Sequence, residues 1–197
     1  MIKDYSQPDF YRFNSDSIAL INWICDKKLS CGRVLDLGAG CGIIGIELAQ
    51  NIEMKKLTLV EIQADYEEYL NRNLELYLPK NIDVEIFWSP FSELNLVENF
   101  ELIICNPPYY LPGHGQKSKD ERRMIARTFI RDSWRHLFEI VDRNLSVEGE
   151  AVFVLKNDRL ILETIFKELK DFKLSFKIHQ ERDLVILQIL RLNKNRD

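Results

Sequence analysis

The residues with the most chemical content are Asn106, Pro107, Pro108 and Tyr109, which directly follow the apolar run 100–105. Two consecutive prolines fix φ twice and remove two backbone donors. What remains is a rigid turn of carbonyl acceptors beside a side-chain amide oxygen, with an aromatic ring just beyond. Such a turn suits a planar nitrogen that offers two N–H donors and a lone pair delocalised into its ring. The Asn106 side-chain oxygen and the Pro107 carbonyl can accept the two hydrogens, which draws the nitrogen towards tetrahedral geometry and frees its lone pair. Tyr109 can stack on a flipped-out base. No strong base is required, because the proton becomes acidic only after the nitrogen has been alkylated. Positioning and electrostatic complementarity then carry the rate. The bland alternative is a stiff proline turn with a packing tyrosine.

A second group lies upstream, in Val34-Leu35-Asp36-Leu37-Gly38-Ala39-Gly40-Cys41-Gly42, where a short apolar run turns into a helical pattern. Glycines at such a turn permit positive φ and let backbone approach a ligand closely. The dinucleotide fingerprint would place its third glycine at position 43, and Ile43 stands there instead. Asp36, two residues ahead of the loop, would repel a pyrophosphate but suits an ammonium group. Glu61, followed by Ile62, closes the next apolar run, where an acid can accept both hydroxyl hydrogens of a ribose. A nucleoside pocket that expects an amino acid in place of phosphates fits S-adenosylmethionine, with no metal. The competing interpretation makes Asp36 a helix cap, Glu61 a solvated strand end and the glycines a plain turn.

These groups need a scaffold, and apolar runs alternating with helical patterns supply one: an α/β domain with a mostly parallel sheet. Ser15 or Asp16 can cap a helix running to about Lys28, with Ile18, Ile21, Ile24 and Cys25 on one face. Strands are predicted at 33–37, 57–62, 82–88, 100–105 and 151–155, and helices after the glycine loop and at 65–77, 120–144 and 160–169. Two final runs, 172–179 and 184–192, joined by 180–183, read as a hairpin. An all-parallel dinucleotide fold would more naturally end on a sixth β/α unit.

The order of elements, the Gly-x-Gly-x-Gly loop, the acid at 61 and the closing hairpin resemble the class I methyltransferases, over about residues 13–192. That resemblance implies a Rossmann-like, seven-stranded mixed sheet of order 3-2-1-4-5-7-6 with helices on both faces. It also implies S-adenosylmethionine as cofactor, bound by Asp16, Asp36, Gly38, Ala39, Gly40, Gly42, Glu61 and Ile62, with Asn106 at the methyl. Where many relatives carry an Asp for the cofactor's adenine amino group, this chain has Ser89-Pro90-Phe91; a hydroxyl can still hydrogen-bond, and Phe91 can pack on the adenine. Asn-Pro-Pro-Tyr is shared by adenine amino-methyltransferases and by glutamine methyltransferases of release factors. The stretch from Tyr110 to the Ile125-Ala126-Arg127 ending, with Tyr11-Arg-Phe-Asn-Ser-Asp16-Ser upstream, resembles the bacterial tRNA(Val) adenine-37 N6-methyltransferases, whose entry segment lies over the cofactor. The implied acceptor is therefore an adenine N6 in RNA, tRNA first. Alternatives are a protein glutamine N5, a cofactor-responsive RNA-binding module without turnover, and DNA, which the lack of a target-recognition region disfavours.

A 197-residue chain, 46% apolar and 29% charged, is sized for one domain, 1–197, with 1–30 as a helical entry segment. Its net charge of −4 announces no polyanionic partner globally. Between 117 and 135, however, seven basic residues face three acids, and Arg123, Arg127, Arg131 and Arg135 recur every four residues. On one helix they would form a stripe beside the base pocket, with Arg123 and Arg127 nearest to passing phosphates, Tyr110 as a second aromatic and Trp134 outward as a possible oligomer contact. A solvated helix face is the equal alternative. Neither a signal peptide nor a membrane span is evident, so the expectation is a cytoplasmic protein with free thiols, monomeric by preference.

Overall fold

The structure is a computed structural model that describes residues 3–28, 31–108 and 120–192. Seven strands, β1 (Arg33–Leu37), β2 (Lys56–Glu61), β3 (Asp83–Trp88), β4 (Phe100–Cys105), β5 (Leu145–Lys156), β6 (Leu174–Glu181) and β7 (Leu184–Arg191), form one sheet of order β3-β2-β1-β4-β5-β7-β6. The first five run parallel, while β7 is antiparallel to both β5 and β6. The mixed sheet and its order are those expected from the sequence.

Alternate residues of the central strands feed two cores, which is why β1 and β4 read as unbroken apolar runs. Leu35, Leu37, Ile103, Phe153 and Leu187 face α5 (Trp134–Asn144) and α6 (Arg159–Leu169). Val34, Leu102, Ile104, Val152 and Ile186 face the other way, onto α1 (Ser15–Asp26), α2 (Ile43–Asn51) and α3 (Glu67–Tyr77). The N-terminal segment is tied down by Asn73, whose amide accepts from Ser6 N at 2.8 Å and donates to Ser6 O and Cys41 O.

Local details differ from the sequence reading. The cap of α1 is Asn14, whose side chain accepts from Asp16 N and Ser17 N, so Ser15 and Asp16 lie within the helix. That helix ends at Asp26; Leu20, Ile21 and Ile24 are its buried apolar residues, with Ile18 and Cys25 half-buried. The helix expected over 120–144 is two: α4 (Glu121–Ile125), capped by Asp120, and α5, capped by Ser133. Between them the backbone leaves helical geometry and buries both Phe129 and Trp134, whose rings meet edge to face with centroids 5.1 Å apart. Five residues apart on one continuous helix, those rings would project from different faces. Trp134 is thus a core residue, 4% exposed, not an outward one.

Strand β5 begins at Leu145, well before the expected 151, by running through Gly149. A Cβ there would sit 2.9 Å from Phe100 O and from Ser146 Oγ, where the β4–β5 register shifts. The closing turn is just Arg182-Asp183, with Arg182 at φ 56. No helix among the described residues is long and apolar enough to cross a membrane. All four cysteines are free thiols.

Candidate active site

The loop from β1 to α2 is fastened to the neighbouring strand by Gly38 N and Ala39 N, which donate to Val60 O at 2.9 and 3.0 Å. Gly38 and Gly40 take φ of +75° and +53°, so the loop's shape depends on their lacking side chains. Gly42 has a different role. A Cβ there would run into Leu70, so it lets α3 pack against the start of α2 and does not line the cavity described below.

Glu61, 5% exposed, ends β2 with both carboxylate oxygens oriented by backbone. Oε2 accepts from Gly40 N at 2.8 Å, and Oε1 from Ile62 N and Gln63 N at 2.9 Å each. Burial raises its pKa, and the three N–H donors oppose that rise. One acceptor site remains, on Oε2, for a hydroxyl donor. Asp36 lies deeper, fully buried behind the loop. Its Oδ2 accepts from Gly45 N at 3.1 Å, while Oδ1 has no hydrogen-bond partner. Burial pushes its pKa up to about 7; the Gly45 N–H opposes this and the Glu61 charge adds to it. An unsatisfied buried acid of this kind gains from a nearby cation.

Glu61 borders a cavity of about 380 Å³, within the range of small-molecule sites, while Asp36 lies behind its lining. Gly38, Ala39, Gly40, Glu61 and Ile62 line it from the sheet side. Asn106 and Pro108 line it from the end of β4, with buried Pro107 between them. The Asn106 side chain is oriented by α1, since its Nδ2 donates to Ser17 Oγ at 2.8 Å. Thus the glycine loop, the ribose-type acid and the proline turn share one chamber. Among the described residues its acids, Glu61, Asp65, Glu121 and Asp132, outnumber one base, Arg131, which is itself paired with Glu93 at 2.9 Å. A chamber of that sign favours ammonium and amine groups over phosphate.

Other expected residues sit elsewhere. Asp16 is buried against Lys156 at 3.1 Å and does not line the cavity; Ser17, beside it, does. Ser89 and Pro90 are also outside the lining, and the Ser89 hydroxyl donates to Pro90 O at 3.0 Å. Phe91 does line it, above Gly38, where a Cβ would come within 4.0 Å of its ring. The arginine stripe is broken along with its helix. Arg131 pairs with Glu93, and Arg135 with Glu139, Glu168 and Asp171. Arg123 and Arg127, on and just after α4, show no ion pair among the described residues, and neither lines the cavity. Tyr109, Tyr110, Lys117 and Lys119 lie outside the described residues.

Sequence reasoning overlooked Ser17, Gln63 and Asp132. Asp132 is one of the three acids between 117 and 135, which a solvated helix face would pair with its arginines. Its carboxylate instead accepts from Phe91 N and Ser92 N at 3.0 and 2.9 Å, reaching from the segment before α5 to the turn after β3.

The methyltransferase small domain model matches residues 12–177, most of the chain. The chain belongs to the methyltransferase small domain family. That family and this sheet order are those of S-adenosylmethionine-dependent class I methyltransferases. Among curated relatives, the tRNA1(Val) (adenine(37)-N6)-methyltransferase of Vibrio parahaemolyticus serotype O3:K6 is 31% identical over 150 residues, covering 72% of this chain and 57% of that one. The chain spans about three-fifths of the length of the curated relatives it matches. The fold is shared with the ribosomal protein L11 methylase of Lactobacillus delbrueckii subsp. bulgaricus (TM-score 0.65, 17% identity, 91% of this chain and 81% of that one). It is shared too with the T. thermophilus 16S rRNA N2 G1207 methyltransferase, solved with AdoMet and guanosine (TM-score 0.66, 16% identity, 92% of this chain and 44% of that one).

Proposed function

We propose that this protein transfers a methyl group from S-adenosylmethionine to the exocyclic N6 of an adenine in RNA. By the names of its curated relatives, the first candidate is adenine 37 of a valine tRNA. One observation carries the reading: Asn106 and Pro108 line the same cavity as Gly38, Gly40 and Glu61, so an amine acceptor and a nucleoside cofactor can meet there. The residues present fit that cofactor. Glu61 offers an oriented acceptor for a ribose hydroxyl, Gly38 and Gly40 leave room against the backbone, and the Asp36 carboxylate behind the loop, its Oδ1 without a partner, suits the charge of an amino-acid ammonium group.

When bound, S-adenosylmethionine supplies an electrophilic methyl group on its sulfonium. The protein's part is positioning. Asn106, its nitrogen end held by Ser17, presents an amide oxygen as acceptor, and the Pro107 carbonyl is the second acceptor for the amine's two hydrogens. Tyr109, followed by Tyr110, is assigned to stacking on the flipped base. The acid-lined chamber keeps phosphates outside, where Arg123 and Arg127 stand ready for the RNA backbone. We assign the protein to the cytoplasm as a monomer.

The test is transfer of labelled methyl to total tRNA, genomic DNA and ribosome-associated protein in parallel, all from cells lacking this gene. Label recovered from tRNA as N6-methyladenosine supports the proposal. Label in protein alone overturns the RNA assignment and leaves a glutamine N5-methyltransferase; label in none of the fractions leaves a binding module.

A further inference from the structure

The cofactor reading leaves the adenine end of the ligand unassigned. The sheet order β3-β2-β1-β4 decides where that end lies. The reacting methyl has to meet Asn106 beyond β4, the amino-acid end lies at the β1 loop, and the ribose belongs to Glu61 at the end of β2. The base therefore points towards β3 and the turn that follows it, where Phe91 lines the cavity. An exocyclic amine there needs a buried acceptor.

The side chain at the end of β3 does not offer one, since Ser89 does not line the cavity and its hydroxyl is given to Pro90 O. Gln63 lines the cavity, but its Oε1 has essentially no accessible surface. Asp65 is nearly half exposed, at 48%, and stands 3.9 Å from Arg122. Asp132 is different. Its side chain is 7% exposed, it lines the cavity, and its two oxygens are fixed by the backbone N–H groups of Phe91 and Ser92. A carboxylate has about four acceptor sites; Oδ1 faces both Ser92 N and His136 Nδ1, the latter at 3.5 Å, and Oδ2 takes only Phe91 N, which leaves a site on Oδ2 for the base.

We infer that Asp132 is the adenine-reading residue of this protein: an acid brought in from the segment before α5 that accepts from the base's amino group while holding the Phe91 turn in place. This inference rests on the cofactor half of the proposed function and not on the acceptor. Its test contains no acceptor, so the two can fail separately.

The experiment is calorimetric titration of the full chain with S-adenosylhomocysteine and with S-inosylhomocysteine, in which an oxo group replaces the amino group. The wild-type protein is expected to prefer the adenine compound by about tenfold or more, the scale of one hydrogen bond to a charged acceptor. In Asp132→Asn the ratio should collapse to near one or invert, because an amide N–H can donate to the oxo group. In Ser89→Ala the ratio should be unchanged. The ratio is the readout because loosening of the Phe91 turn lowers both affinities together. Equal losses in Asp132→Asn with the ratio preserved would make Asp132 a structural clamp only and overturn the inference. So would loss of the ratio in Ser89→Ala, or a wild-type protein indifferent to the two ligands, an outcome that requires no variant. Failure of the wild type to bind S-adenosylhomocysteine would remove the cofactor reading and this inference together.

Discussion

The two sides of the cavity are built by different means. On the β1–β2 side the strand-end acids and the glycine loop are set by main chain: Glu61 by three backbone N–H groups, Asp36 by Gly45, the loop by Val60. On the far side, side chains set side chains and short turns: Ser17 holds Asn106, and Asp132 holds the Phe91 turn. A wall set by secondary structure tolerates change around it, whereas a wall set by side-chain pairs depends on each partner. The first suits parts of a ligand that never vary, and the second ties Asn106 and the Phe91 turn each to a single partner.

The sharpest way to break that contrast is Asn106→Ala. Methyl transfer should fall by about 10³-fold, the scale of losing an oriented group at a reacting centre, while cofactor affinity by calorimetry stays within a few-fold. Comparable loss of both would mean that Asn106 belongs to the cofactor side. Next is Glu61→Gln, which puts an amide donor against backbone donors and removes a charged acceptor for the ribose. Cofactor binding should weaken about 100-fold with little change in the acceptor's half-saturating concentration.

Charge reversal at Arg123 and Arg127 probes the outer rim. The acceptor's half-saturating concentration should rise about tenfold at low salt, and the salt slope should flatten by roughly one unit per arginine. Arg135→Glu, which breaks a surface ion-pair cluster instead, should leave the salt slope alone and alter thermal stability slightly.

The smallest effect concerns Asp36. Its carboxyl is pushed up to about 7 from 3.8, so the unliganded fold holds a proton that the unfolded chain releases. Stability from this group is full below the unfolded value and declines as pH rises towards 7. A cationic ligand favours the ionised form. Cofactor affinity should thus rise several-fold as pH passes upward through 7, with proton release measurable by titration in buffers of different ionisation enthalpy. Asp36→Asn should abolish both trends, and a pH-independent affinity in the wild type would sever Asp36 from the ligand.

Much of the first wall was legible because its signals are local. Gly38, Gly40, Asp36 and Glu61 announce themselves through strand ends and a turn, and β1 and β4 match their expected bounds to the residue. The second wall was not legible, because its contacts join residues distant in the chain: Ser17 to Asn106 across 89 positions, Asp132 to Phe91 across 41. The broken helix shows why periodicity misled. Arg123, Arg127, Arg131 and Arg135 repeat at helical spacing, but Phe129 and Trp134 must both reach the core, and apolar burial outweighs a surface pattern worth tenths of a kcal/mol per pair. Asp16 and Trp134 were misplaced for the same reason, Lys156 and Phe129 being the partners that capture them.

The last strand in sequence, β7, lies inside the sheet between β5 and β6, with Ile186, Leu187 and Ile189 fully buried. During synthesis, β5 therefore emerges long before the neighbour that covers its free edge. Until residues 184–191 leave the ribosome, a growing chain carries a row of apolar side chains and unpaired backbone groups. The sheet can therefore close only once β7 is available, and a chain that stops before Leu184 should engage chaperones or aggregate instead of yielding a less stable protein.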